Sequence, residues 1–225
     1  MNTYKTIIWE EIDQIGHLIL NQPPSNQMTK PFFDELKHLT QQIIPQSSVK
    51  AIVMYGAGRH FSSGVEMNDL FNEIDSQIIK KESFDSPLFL EENILSFCFF
   101  DELKIPVVAA IQGVCLGSAL ELAMFCHVRI VAENSLLALP ESTFSLMPGC
   151  GGTQKLPHLT SFAKSIELIL TGENFSAQQA SEYGIADIVI PKKMLIEQAI
   201  AFAKFIANNY KRILMKKYIK DFFNE

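Results

Sequence analysis

Apolar residues along this chain alternate between two spacings. Continuous apolar runs bounded by glycine or proline occur at VKAIVMYG, residues 49–56, and at IPVVAAI, residues 105–111. Runs of that length predict strands buried on both faces. His127–Ala132 and the segment IADIVIP predict two more short strands. Between the runs, apolar positions recur at helical spacing. Phe32, Leu36, Leu39 and Ile43 mark a helix in TKPFFDELKHLTQQII, with Thr29 as its N-cap and Pro31 in its first turn. Phe89–Leu103 and Ser118–Phe125 predict two further helices. In FSAQQASEYG, Ser176 and Gln179 have capping-box spacing and Gly184 suits the residue after a helix end. Tyr4–Glu10 and Ile15–Leu20 read as strands around a turn at Glu11–Gln14. Residues 59–70 are a loop entering a helix, and 71–87 are polar, irregular and the segment expected to move most. LALPESTFSLMPGCGGTQKL reads as a Gly- and Pro-rich loop, and Lys192 onward as helix to the end. Strands alternating with helices predict an α/β fold in one continuous domain.

Composition narrows the class. The chain has 225 residues, of which 48% are hydrophobic and 20% charged, with net charge −6. That is the balance of a soluble globular protein with a sizeable core, and it offers no basic surface for nucleic acid. Cys98, Cys115, Cys126 and Cys150 form no C-x-x-C pair, so reduced buried thiols are expected rather than zinc ligands or a disulfide framework. The first residues lack a basic segment followed by an apolar core, so no secretory signal is expected. Ile105–Val128 approaches membrane-spanning length, but Gln112, Gly113, Gly117, Ser118 and Glu121 break it into strand, turn and buried helix. A soluble, cytoplasmic protein is the expectation, with neither membrane nor nucleic acid as partner.

Glu121 changes the picture. It is the only formally charged residue between Ile105 and Val128. Burying an ionised carboxylate costs several kcal/mol unless it is paired, hydrogen-bonded or protonated. Two readings follow from the residues. In one, Ser118-x-x-Glu121 is a capping box, and the acid folds back on its own helix amides. In the other, residues at i and i+3 share a helix face. A ligand oxygen held by the Ser118 amide then lies beside the Glu121 carboxylate. An oxyanion hole needs two such donors, and the loop RHFSSGVEM, residues 59–67, with its glycine just before an expected helix start, offers a second set of amides. Glu141, following Pro140, reads on its own as a surface or helix-start acid, and with the glycines of PGCGG it offers a second acid beside approachable backbone.

Taken together, LNQPPSNQM, GAGRHFSSGVEMNDL, KIPVVAAIQGVCLGSALELAMFC, LPESTFSLMPGCGGTQKL and LTGENFSAQQASEYGIADIVIP resemble the enoyl-CoA hydratase/isomerase, or crotonase, superfamily. The resemblance is collinear over nearly all of residues 1–195. It implies a ββα spiral core there and a C-terminal helical tail over 196–225, shortened in the module that builds a trimer. It implies oxyanion-hole amides at Val65 and Ser118, after Gly64 and Gly117, and two hydratase glutamates at Glu121 and Glu141. Glu141 is then the α-carbon acid/base and Glu121 the water partner. Gly149 lies beside the catalytic water, and Ser25, Asn26 and Ser63 lie on the coenzyme A side. No metal or separate cofactor is implied, since coenzyme A or an acyl carrier protein arrives as part of the substrate. The implied partner otherwise is a further copy of the chain, in a trimer or hexamer.

The activity this implies is addition or removal of water across the α,β double bond of an enoyl thioester, in fatty acid or polyketide metabolism. A Δ3-Δ2 isomerase, a thioester hydrolase and a non-catalytic binding subunit are the alternatives. Two positions depart from the family pattern. Ser118 stands where glycine is usual, and His127 where aspartate is usual, which implies a changed local hydrogen bond. Lys211, Arg212, Lys216, Lys217 and Lys220 read as a solvated helix face, with the coenzyme A phosphates as their alternative. A dinucleotide loop fails because Phe61 replaces the third glycine after Gly56 and Gly58. A nucleophile elbow fails because Ser118 lacks the G-x-S-x-G setting.

Overall fold

The computed structural model describes residues 4–72, 88–207 and 215–223. Two strands, β1 (Ile7–Ile12) and β2 (Ile15–Leu20), form a hairpin. Its turn is tighter than the sequence suggested. Only Asp13 and Gln14 link the strands, both with positive φ, as a two-residue hairpin loop requires. β3 (Ala51–Gly56), β4 (Val107–Ile111), β6 (Val128–Ala132) and β9 (Ile188–Ile190) then add in parallel, giving a sheet of order β1-β2-β3-β4-β6-β9. A smaller sheet of β5 (Val114–Leu116), β7 (Leu136–Ala138) and β8 (Phe175–Ser176) stands apart from it.

The apolar runs read as doubly buried strands are so because both sheet faces are covered. Along β3, Ile52 and Met54 join one core cluster, while Ala51 and Val53 join the other. β4 divides the same way, with Val107, Ala109 and Ile111 on one side and Val108 and Ala110 on the other. The first cluster also holds α1 (Lys30–His38), α3 (Leu88–Glu102) and α4 (Ser118–Met124). The second is closed by α8 (Leu195–Ala207), whose Leu195, Ala199, Phe202, Ala203 and Ile206 form a helical stripe on the sheet. α9 (Met215–Phe223) packs Phe222 and Phe223 on Phe202, with ring centroids 5.3 and 5.4 Å apart. The boundary drawn at residue 195 thus falls at the start of a helix that covers one face of the main sheet.

Several elements differ from the sequence expectation. α1 ends at His38 and continues as a π turn, Leu39–Ile43, and a 3-10 turn, Ile44–Gln46. Thr29 occupies its N-cap, but the hydroxyl bonds the Gln22 side chain instead of a helix amide. The Gly- and Pro-rich stretch is not all loop: it holds β7, a 3-10 helix at Pro140–Phe144 and the start of α5 (Gly152–Leu159). α6 (Phe162–Thr171) was not anticipated, although Ser161 caps its start and Gly172 its end. α7 (Ala177–Glu182) forms behind the expected Ser176–Gln179 capping box. α2 is described over 67–72, and the rest of the irregular segment, 73–87, lies outside the described residues, as do 208–214 of the expected C-terminal helix.

Candidate active site

Three parallel segments deliver the site. Ser62 bridges Cys115, with the Ser62 amide donating to Val114 and the Leu116 amide to Ser62. β5 in turn pairs in parallel with β7, and the Gly117 amide donates to Ala138. The chain leaves these segments at Gly64–Val65, Gly117–Ser118 and Pro140–Glu141. Two backbone amides and a carboxyl group therefore emerge side by side at one end of the small sheet.

Gly64 makes the first approach possible. Its φ is +87°, and a Cβ there would sit 2.5 Å from the Leu116 carbonyl oxygen and 3.5 Å from the Ser118 nitrogen. The backbone of 64–65 thus lies directly against 116–118. Around Val65 the neighbouring groups are spent, since the Met28 amide donates to the Gly64 carbonyl and the Glu66 amide to the Met28 carbonyl. Val65 therefore turns its own N–H the other way, as alternation in a parallel bridge demands. The amides of Val65 and Ser118 have no acceptor among the described residues. α4 is only seven residues long, so these two donors, rather than a long helix dipole, are what an oxyanion would meet.

Glu141 closes on the same corner. A Cβ on Gly117, which has φ +54°, would lie 2.8 Å from Glu141 Oε1. Only a glycine lets the carboxylate settle against the start of α4. Glu141 Oε2 is buried without a hydrogen-bond partner among the described residues.

The capping-box expectation for Ser118 and Glu121 is not met. Gly117 is the N-cap of α4, no side chain caps it, and Ser118 is its first helical residue. Glu121, 1% exposed, instead accepts from the amides of Cys150 at 2.9 Å and Gly152 at 2.7 Å, both on Oε1. Its other oxygen takes no hydrogen bond among the described residues. The glycine-rich turn thus binds Glu121 through Cys150 and Gly152, and Gly149 makes no bond to either carboxylate.

Burial dominates the electrostatics. Desolvation, reinforced by the negative charge of Glu141, raises the Glu121 pKa to about 8 against the opposing pull of the two amides. Desolvation likewise raises Glu141 to about 7. The Cys150 thiol, pushed up chiefly by burial, feels both carboxylates. The two acids therefore titrate as a pair that retains at least one proton near neutrality. A stability consequence follows. Glu121 has a folded pKa above its ordinary 4.5, so the fold prefers its neutral form and loses stability as pH rises toward that value. Glu121→Gln, which keeps the amide acceptor and removes the charge, should gain about 3 kcal/mol on the wild type between about pH 6 and about pH 9. Urea unfolding at the two pH values checks this, and a constant difference would contradict it.

The remaining candidates take other places. The Asn26 side chain is fully engaged: it accepts from the Gln22 amide and donates to the carbonyls of Ala57, His60 and Phe61. Its amide group thus holds the loop that carries Gly64. The Ser63 amide donates to the Ser25 carbonyl, so these two residues tie the same loop down while staying partly accessible. Ser62 was missed. Its buried hydroxyl donates to the Asn26 carbonyl at 2.6 Å and accepts from the Gly64 amide, which fixes the turn ahead of Val65. His127 accepts the Val107 amide at Nδ1 and faces the Asp101 carbonyl with Nε2, fastening β4 to the end of α3. Lys217 and Lys220 are exposed on α9, while Lys211 and Arg212 lie outside the described residues. Among the described residues no cluster of three His, Cys, Asp or Glu side chains could hold a metal ion, and no helix is long and apolar enough to cross a membrane.

Two free amides thus lie beside a buried and a half-buried carboxyl group, where the small sheet meets the start of α4. The sequence profile described as enoyl-CoA hydratase/isomerase matches residues 10–224, and the chain belongs to this family, within the crotonase superfamily. The chain is 35% identical over 194 residues to the "Probable enoyl-CoA hydratase" of Bacillus subtilis, covering 85% of this chain and 72% of that protein. It is 32% identical over 210 residues to the peroxisomal fatty acid beta-oxidation multifunctional protein AIM1 of Arabidopsis thaliana, covering 93% of this chain but only 28% of that one. The chain thus spans little more than a quarter of that multifunctional relative. Among solved structures, enoyl-CoA hydratase from Bacillus anthracis superposes with a TM-score of 0.82 at 30% identity, over 98% of this chain and 83% of the other.

Proposed function

We propose that this chain hydrates the α,β double bond of an enoyl thioester, or removes water in the reverse direction, with coenzyme A or an acyl carrier protein as the carrier. The observation that carries the reading is the pair of unspent amides, Val65 and Ser118, converging with Glu121 and Glu141. The thioester carbonyl oxygen sits on the two amides and gains charge as the enolate forms, so their hydrogen bonds strengthen in the transition state. Water lies between the carboxyl groups. The ionised member of the pair takes a proton from the water as its oxygen bonds the β-carbon. The double-bond electrons move onto the thioester oxygen, and the protonated member then gives its proton to the α-carbon. The pair begins and ends with one proton, so the cycle balances.

The assignment of Glu121 as the water's base and Glu141 as the α-carbon acid rests on position: Glu141 lies against Gly117 beside the Ser118 amide, and Glu121 is the more deeply buried, held by Cys150 and Gly152. Burial sets both carboxyl groups high, Glu121 to about 8 and Glu141 to about 7, so the pair shares its proton before one member delivers it. Moving a double bond needs one carboxyl group to carry a proton, and the second, amide-held acid is what hydration adds. A self-associated form of the chain, acting on fatty acyl chains, belongs to the same proposal. The test is the pH dependence of crotonyl-CoA hydration, followed by loss of the conjugated ultraviolet band. A bell with limbs near the pair's pKa values, about 7 and about 8, is expected. A flat profile, or no hydration of any acyl thioester tried, would sink the reading.

A further inference from the structure

Among the described residues three buried side-chain oxygens lack a hydrogen-bond partner: Ser118 Oγ, Glu141 Oε2 and Ser142 Oγ. The Glu141 oxygen belongs to the acid chemistry above. The Ser142 hydroxyl lies against the turn at Gly172, where an added Cβ would meet it at 2.8 Å. Ser118 is left without an account. Burying a hydroxyl with no partner costs about 1–3 kcal/mol, and a serine near a helix start has ordinary ways to avoid that cost. It can cap its helix, bond back to a carbonyl or bond a neighbouring side chain. Ser118 does none of these, although only 4% of it is exposed.

Helix geometry fixes where that hydroxyl goes. Cα–Cβ bonds tilt toward a helix's N-terminal end, so the side chain of the first residue of α4 projects beyond the end of the helix. That is the side on which its own N–H is free, where the backbone of 64–65 and the Glu141 carboxylate converge. We infer that the Ser118 hydroxyl is a third donor to the thioester carbonyl oxygen, acting beside its own amide and that of Val65. The inference rests on the thioester chemistry proposed above and adds a catalytic role for a side chain. A hydroxyl bonded to a developing oxyanion makes a shorter and stronger bond than to a neutral carbonyl. Its contribution therefore falls on turnover more than on binding.

Ser118→Ala and Ser118→Gly, assayed with crotonyl-CoA, separate this from mere space-filling. Both variants are expected to lose about tenfold to a hundredfold in kcat with KM little changed. Because it deletes a buried unpartnered hydroxyl, Ser118→Ala should also melt a few degrees higher than wild type. If Ser118 only fills space, Ser118→Ala keeps full turnover and Ser118→Gly alone loses it, which overturns the inference. A second reading needs no turnover. In a Glu121→Gln/Glu141→Gln background, the carbonyl stretch of bound, carbon-labelled crotonyl-CoA should lie below that of the free thioester. Adding Ser118→Ala should move it part of the way back. An unmoved band overturns the hydroxyl's role alone, whereas absence of both turnover and crotonyl-CoA binding with Ser118 in place overturns the enoyl-thioester reading itself.

Discussion

Glu141→Gln is expected to lower kcat for crotonyl-CoA hydration about a thousandfold while leaving KM nearly unchanged. General acid–base groups contribute about 10²–10⁴ in rate, and this one sits where its loss cannot be shared. Its Oε1 lies against Gly117 and its Oε2 has no hydrogen-bond partner among the described residues, so glutamine keeps the shape and removes the transferable proton. The neighbouring Glu121 is held by Cys150 and Gly152 and faces the water rather than the α-carbon in the proposed geometry. The variant should fold as the wild type does, since it replaces a half-buried acid with a neutral isostere. Steady-state kinetics beside a melting curve checks both statements. A loss of less than about tenfold would remove Glu141 from the proton transfer.

Gly64→Ala is expected to have a comparable effect for a different reason. At φ +87° an alanine is strained by about 1–2 kcal/mol, and its Cβ would press to 2.5 Å from the Leu116 carbonyl oxygen. The only relief is to push 64–65 away from 116–118, which separates the two amides of the hole. Loss of one oxyanion donor costs about a hundredfold to a thousandfold in kcat. The melting temperature should fall by only a few degrees, as expected for about 1–2 kcal/mol in a chain of this size. A variant that keeps its turnover would show that Val65 and Ser118 do not act together.

The parts of this account that the sequence carries are the local ones. Doubly buried strands showed as apolar runs, and the Ser176–Gln179 box showed as a four-residue pattern because both partners lie within one helical turn. Glu121 announced itself as a charge in an apolar stretch. What satisfies it did not, because its two amide donors lie 29 and 31 residues further along the chain. Local spacing suggested a capping box, and tertiary contact replaced it. The same holds for Ser62, a serine among serines until its bonds to Asn26 and Gly64 are drawn. β7 is three residues long, too short for any period to appear, yet it is the strand that brings Glu141 to Gly117. By contrast α6 carries a local cap in Ser161 and a local stop in Gly172, signals of the kind that a sequence does show.

The most direct measurement is the fate of solvent oxygen when the protein acts on crotonyl-CoA in heavy-oxygen water. The proposed chemistry places one heavy atom on the β-carbon of an intact 3-hydroxyacyl thioester, at a rate that Glu121→Gln and Glu141→Gln each lower steeply. Label appearing in a released carboxylic acid would make the site a thioester hydrolase. No label in any product, with the wild type indistinguishable from the two variants, would contradict the account.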